Sequence, residues 1–266
     1  MQKIDCHRHC SRLSTDLSSL PESNNKLEIE KVLLFGHNGI GKPGFDEITW
    51  DWYLKEKDII IPLACDFNFT QPDITYAEQS LDRGFYGFGE ILLGHLGALN
   101  KRLNGIKYND PIPLEIFNLA GQNSAFVLAH ANPLFAEDFL SAIKQCHDTT
   151  FIWAHMAYDF GQHILPSISQ IEKLLLENPN LYFDISFWTT DALCMISHLE
   201  LLEKYSSRFI FGMDLTKNYE SMQNLYYPSY NKVLSQLTLD SQHNIYYNNI
   251  NTLLSRREKK ILGLLH

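Results

Sequence analysis

Short runs rich in β-branched and aromatic residues recur along this chain, most of them followed by a helical or loop segment. Eight such runs are read, at 3–7, 31–36, 59–65, 84–91, 125–131, 149–155, 180–186 and 208–214. Several are apolar throughout rather than alternating: Val32-Leu33-Leu34-Phe35, Ile59-Ile60-Ile61-Pro62-Leu63 and Phe126-Val127-Leu128. A strand reads this way when both faces are buried, the condition of strands in a parallel sheet. Helices are expected at 135–145, 164–177, 190–205, 228–237 and 250–254. The first carries Phe135, Phe139, Ala142 and Ile143 at helical spacing. The second opens at Pro166 and stops at Asn178-Pro179. Segments 11–26 and 92–113 break the rhythm: the first reads as a loop with at most a weak helix, the second as a long loop, and a long loop in a compact domain is usually functional.

Strands alternating with helices over 266 residues fit either a closed (β/α)8 barrel or an open doubly wound sheet. The open sheet usually follows its first strand with a glycine-rich phosphate loop. Here the first strand ends in Ile4-Asp5-Cys6-His7-Arg8-His9. The expected fold is therefore a TIM barrel, an α/β single domain over 1–266 with eight parallel strands inside outer helices.

Composition removes several function classes. A net charge of -9 argues against a general nucleic-acid surface, which depends on clustered Lys and Arg. No apolar stretch spans a bilayer and the N-terminus lacks a secretory profile, so no membrane partner is expected. Cys6, Cys10, Cys65, Cys146 and Cys194 show no paired spacing, consistent with reduced thiols and a cytoplasmic location. A homo-oligomer is compatible with all of this.

A parallel barrel gathers the C-terminal ends of its strands on one rim, where active sites form. Read in order, those ends give His7 and His9, His37, Asp66, Glu90, His130, His155, Asp184 with Ser186, and Asp214. Alternation along an extended strand puts His7 and His9 on one face with Asp5, and Cys6, Arg8 and Cys10 on the other. Each residue alone has an ordinary structural reading, such as a hydrogen-bonded histidine or a capping aspartate. Gathered on one rim, imidazoles and carboxylates suit a divalent transition metal, zinc above all.

With these residues in view, the chain resembles the metal-dependent amidohydrolase superfamily, in its amidohydrolase-2 branch. The resemblance is carried by Ile4-Asp5-Cys6-His7-Arg8-His9, Leu181-Tyr182-Phe183-Asp184-Ile185-Ser186, Arg208-Phe209-Ile210-Phe211-Gly212-Met213-Asp214 and Asn248-Asn249-Ile250-Asn251-Thr252-Leu253-Leu254. It implies that His7, His9 and His130 bind a metal. It implies that Asp214 contacts the activated water as proton acceptor. His155 would orient substrate or bind a second ion, and Glu90 would bridge two ions, so one or two are expected. Met213 stands where the branch commonly has serine or threonine, which leaves the substrate open.

The leading expectation is hydrolysis of an amide, lactone or ester in a small molecule. Three alternatives stay open: a decarboxylase of aromatic acids, with Arg102 available to hold the carboxylate; a metal-dependent deoxyribonuclease of similar barrel; and a non-catalytic binding barrel. Trp50, Trp52, Phe67, Tyr158, Phe160, Phe187 and Trp188 are pocket candidates, with Tyr158 and Trp188 favoured for following strands closely. His95, in the long loop, would cover the site. His147, His163, His198, His243 and His266 are read as surface or helix residues.

Overall fold

The computed structural model of the chain describes residues 1–10, 20–36, 44–71, 74–95, 105–187, 189–216 and 219–264. His37, Arg102, Trp188 and His266 lie outside them. Eight strands form one sheet: β1 (Lys3–Cys10), β2 (Ile29–Gly36), β3 (Ile60–Ala64), β4 (Gly87–Gly94), β5 (Phe126–Ala131), β6 (Thr150–Trp153), β7 (Leu181–Asp184) and β8 (Phe209–Ile210). Each pairs in parallel with the next in chain order. The segment after β8 returns to β1: the Cys6 amide donates to the Phe211 carbonyl at 3.0 Å and the His9 amide to that of Leu215 at 2.9 Å. The fold is the (β/α)8 TIM barrel.

The continuous apolar runs are explained by two buried layers. One face of the strands fills the barrel interior with Ile4, Cys6, Leu33, Phe35, Ile61, Leu63, Phe126, Leu128, Ile152 and Ile210. The other packs Val32, Leu34, Val127, Phe151, Phe183 and Phe209 against the helices. Burial on both sides leaves no polar alternation to read.

The helices are α1 (Leu20–Lys26), α2 (Phe45–Lys55), α3 (Thr75–Arg83), α4 (Pro111–Gln122), α5 (Ala136–Gln145), α6 (Ile168–Glu177), α7 (Leu199–Lys204), α8 (Tyr219–Leu234), α9 (Leu239–His243) and α10 (Asn249–Ile261). The expected helices at 135–145 and 164–177 appear as α5 and α6. α6 starts later than its sequence suggests because Ser167 is its N-cap, which leaves Pro166 outside the first turn. The Ser167 hydroxyl accepts from the Gln170 amide and Gln170 Oε1 accepts from the Ser167 amide, a capping box. The expected helix at 190–205 is a 3-10 segment, Thr189–His198, followed by α7. α8 runs through Pro228 instead of starting there, with Tyr226 and Tyr230 buried around it. α10, expected only at 250–254, extends over Asn249–Ile261, and its Ile250, Leu253 and Leu254 join the interior layer. α1 forms inside the segment read as a loop with at most a weak helix. No helix among the described residues is long and apolar enough to cross a membrane.

Candidate metal centre

Simple alternation would send His7 and His9 out of the barrel, because Ile4 and Cys6 point into it. The β1–β2 register slips between Asp5 and Arg8, where three steps along β1 match two along β2. An extra residue of this kind re-aims the side chains beyond it. The rings of His7 and His9 consequently lie against interior Phe35, at 5.1 and 4.7 Å. Arg8 turns toward the helices, its Nε donating to Asp5 Oδ2 at 2.7 Å and its Nη2 to Gln223 Oε1 at 2.9 Å. The expected face shared by Asp5, His7 and His9 is thus corrected: Asp5 pairs with Arg8, and Cys6 faces inward. Cys10 lies apart from the histidines, its Sγ 3.1 Å from Thr49 Oγ1.

A second slip, three steps of β4 against two of β5 between Phe88 and Ile91, brackets Glu90. Glu90 sits in mid-strand, not at the strand end where the sequence reading put it. His155 follows β6 with φ of 60°, Met156 and Ala157 with 51° and 57°, and Asp214 follows β8 with 49°. These are left-handed conformations that side chains with a Cβ seldom adopt and that gather at functional sites. Gly212, two residues before Asp214, admits close packing: a Cβ there would come within 2.9 Å of His7 Cβ and 3.1 Å of Cys6 Sγ.

These irregularities converge on one point. His7 Nε2 and His9 Nε2 are 3.2 Å apart. Asp214 Oδ1 lies 3.1 Å from His9 Nε2 and 3.5 Å from His7 Nε2. Glu90 Oε2 lies 3.6 Å from both of those nitrogens. Its Oε1 lies 3.5 Å from His155 Nε2 and 3.1 Å from His130 Nδ1. Among the described residues three groups have all their ligand atoms within 4.8 Å of one another; His7–His9–Asp214 and His7–Glu90–His155 lie here, and Asp46–Cys65–Asp66 lies apart, beside α2. Metal–nitrogen bonds of roughly 2.0–2.1 Å in tetrahedral geometry set neighbouring ligands about 3.4 Å apart, so the spacing fits a shared cation. His130 is in none of these groups. It meets the centre through Glu90.

The opposite nitrogen of each inner imidazole is anchored. His7 Nδ1 donates to Asp184 Oδ2 at 2.7 Å, His9 Nδ1 to the Gly36 carbonyl at 3.2 Å, and His155 Nδ1 to the Ser186 carbonyl at 2.7 Å. With Nδ1 donating, each Nε2 points inward and offers a lone pair when the ring is neutral. Metal-binding histidines are commonly oriented in this way, through a hydrogen bond from the other ring nitrogen. Asp184 serves twice, since its Oδ1 accepts from the His155 amide at 3.2 Å and the Ser186 amide at 2.6 Å. The sequence placed Asp184 and Ser186 on the rim without a role toward the histidines. Their contacts cross from β7 to β1 and β6, which no local pattern reveals.

Burial would raise the carboxyls of Glu90, Asp184 and Asp214, yet the surrounding imidazoles, His7 foremost, hold all three below the usual carboxylate range. Burial would likewise lower His7, but Asp184, Glu90 and Asp214 keep it well above its ordinary value. Burial does lower His130, against the pull of Glu90. His155 is likewise raised against its burial, by Glu90, Asp214 and Asp184. Protons held this way on His7 and His155 balance the buried carboxylates, and a bound cation would take over that balance and free the Nε2 lone pairs. A divalent cation matches this donor set.

Above the centre lies a cavity of about 200 Å³, floored by His9, Glu90, His155 and Asp214. Leu92, His95, His130, Phe160 and Thr216 line its sides. Of the aromatic candidates among the described residues, Phe160 lines this cavity, while Tyr158 packs behind it. Asp66 lies away from the centre and caps α2, accepting from the Gly44 and Asp46 amides at 2.7 and 2.9 Å.

No family model matches the chain, and no curated protein matches it in sequence. Solved structures match across nearly its whole length. An uncharacterized TIM-barrel protein from Bordetella bronchiseptica is 14% identical with a TM-score of 0.75, covering 97% of this chain and 100% of its own. A 2,6-dihydroxybenzoate decarboxylase complexed with 2,6-dihydroxybenzoate is 14% identical with a TM-score of 0.62, covering 96% and 100%. An amidohydrolase from Burkholderia multivorans with bound zinc is 12% identical with a TM-score of 0.68, covering 96% and 99%. At these identities the likeness is one of fold.

Proposed function

We propose that this chain is a metal-dependent hydrolase of the amidohydrolase-2 type, acting on an amide, lactone or ester bond of a small molecule. The observation that carries this reading is the convergence of three inward Nε2 atoms, each with its Nδ1 anchored, on the carboxylates of Glu90 and Asp214. The zinc in the amidohydrolase sharing the fold supports the choice of metal. When bound, a divalent ion supplies a water of lowered pKa and polarises the carbonyl under attack. His7, His9, His155, Glu90 and Asp214 are the residues that would hold it. Glu90 Oε2 faces His7 and His9 while Oε1 faces His130 and His155, which supports a carboxylate able to serve two ions.

Asp214, at the cavity floor, accepts the proton of the attacking water at a carboxylate oxygen and hands it to the leaving group. His155 keeps its Nε2 aimed at the centre, its own position fixed through Ser186 and Asp184. Leu92 and Phe160 keep bulk water from the reacting bond. The cavity is smaller than the roughly 300–1,000 Å³ of drug-sized ligand sites, which favours a small substrate over an oligonucleotide, as does the net charge of -9. Decarboxylation of an aromatic acid is the second reading, favoured by the ring-lined cavity and by the decarboxylase that shares the fold.

Metal analysis of purified protein, followed by a panel of small esters, lactones, amides and aromatic acids, tests the proposal. The expected result is one or two divalent ions per chain and product formation that stops on chelation and returns with zinc. Carbon dioxide as the product selects the decarboxylase reading. A folded chain that takes up no metal ends both.

A further inference from the structure

We infer that Tyr108 is a positioning residue for the metal centre, its hydroxyl holding β4 at the register that aims Glu90 into the site. The inference deepens the metal-centre reading and rests on it. β4 slips twice against β5, between Phe88 and Ile91 and again between Ile91 and Gly94, three steps against two each time. Ladder hydrogen bonds are disrupted at inserted residues, so the strand needs support from outside the ladder. The Tyr108 hydroxyl reaches this point. It shares its proton between the Ile91 carbonyl at 2.8 Å, next to Glu90, and the His130 carbonyl at 2.7 Å. The side chains of the same stretch meet at the centre, with His130 Nδ1 3.1 Å from Glu90 Oε1.

Tyr108 is fully buried and held on all sides. Its ring packs on Phe139 at 4.7 Å and stacks on Phe117 at 6.2 Å. Its backbone lies in a turn before α4, where Asp110 Oδ2 accepts from the Lys107 amide at 2.8 Å. Gly94 makes room for the ring, since a Cβ there would come within 3.0 Å of Tyr108 Cε2. Without the hydroxyl the two carbonyls lose their shared donor, β4 is free to relax its slip, and Glu90 turns from His7 and His155. The His7–His9–Asp214 group, which does not include Glu90, stays in place.

Zinc affinity by competition with a chromogenic chelator, and the visible absorption of cobalt(II)-loaded protein, test the inference in Tyr108→Phe. Zinc should bind roughly ten-fold more weakly, the lower end of the loss for a group supporting a ligand, and the cobalt spectrum should change. Thr149→Val removes another buried bond from a hydroxyl to a carbonyl, Thr149 Oγ1 to Phe117 at 2.7 Å, at the opposite end of β6 from His155. It should lower the denaturant midpoint and keep both wild-type metal readings. In a Glu90→Gln background Tyr108→Phe should weaken zinc no further, because the hydroxyl acts through Glu90. Wild-type affinity and spectrum in Tyr108→Phe, an equal loss in Thr149→Val, an unweakened Glu90→Gln, or additive losses in the double variant overturn the inference, while zinc uptake by wild type leaves the metal reading standing. A Tyr108→Phe chain that stays unfolded even in a stabilising osmolyte also overturns it, since the hydroxyl then holds the fold. Failure of wild type to take up zinc overturns the metal reading, and this inference with it.

Discussion

His7, His9 and His155 share one arrangement: Nδ1 donates to an oxygen held by the barrel and Nε2 faces the centre. Asp184 anchors one of these rings and the backbone of another, so it is the residue whose loss should loosen the site without removing a ligand. Asp184→Asn is expected to weaken zinc binding by about 10- to 100-fold, measured by competition with a chromogenic chelator. Unchanged affinity would show that His7 needs no anchor. Asp214→Asn separates holding from chemistry. With zinc saturated, turnover should fall by roughly 10²–10⁴-fold, and a variant retaining full turnover would remove Asp214 from proton transfer. The histidine pair was visible at the level of single residues, but its direction was not. Two-residue alternation placed Asp5 beside His7, and one inserted residue reversed the phase.

Among the elements, β1 and β4 place their site residues at register slips, while the His155 and Asp214 segments do so through left-handed turns. Close strand packing supports this. At Gly89 a Cβ would lie 2.7 Å from Leu128 Cβ. Gly89→Ala should therefore force β4 and β5 apart and cost about 1–3 kcal/mol, seen as a lower denaturant midpoint. A midpoint equal to wild type would mean the strands absorb the methyl. α2 offers a pH test remote from the metal. Burial and neighbouring Asp66 raise the Asp46 carboxyl from 3.8 to about 6. A raised carboxyl favours the protonated folded form. Its stabilising contribution is complete below pH ~4 and disappears as pH rises through ~6, at most about 3 kcal/mol. Wild type should lose stability over that interval relative to Asp46→Asn, in urea melts at stepped pH. Parallel profiles would contradict the shift. The strands were legible because apolar runs of β-branched residues mark them. α1 was legible only as a weak helix, because Leu20-Pro21-Glu22-Ser23-Asn24-Asn25-Lys26 is polar and packs by tertiary contact, with Ser23 Oγ donating to Gln223 Oε1 at 2.8 Å.

For the whole molecule, the centre joins residues from β1, β4 and the segments after β6 and β8, so a bound ion would tie the barrel across its mouth. Metal that binds only the folded chain stabilises it by mass action, about 2.7 kcal/mol at a free concentration 100 times Kd. Chelation should lower the thermal midpoint and zinc should restore it, and a midpoint indifferent to both would separate the site from the fold. The order of eight strands, their burial on two faces and the stock of histidines and carboxylates at their ends follow from local composition and spacing. Those properties depend on neighbours along the chain. The aim of His7 and His9, the mid-strand seat of Glu90, the anchoring by Asp184 and Ser186, and the choice of Phe160 over Tyr158 for the cavity wall belong to the tertiary structure alone. Each depends on a register slip, a left-handed turn or a contact between strands distant in sequence, and periodicity along one strand carries no record of these.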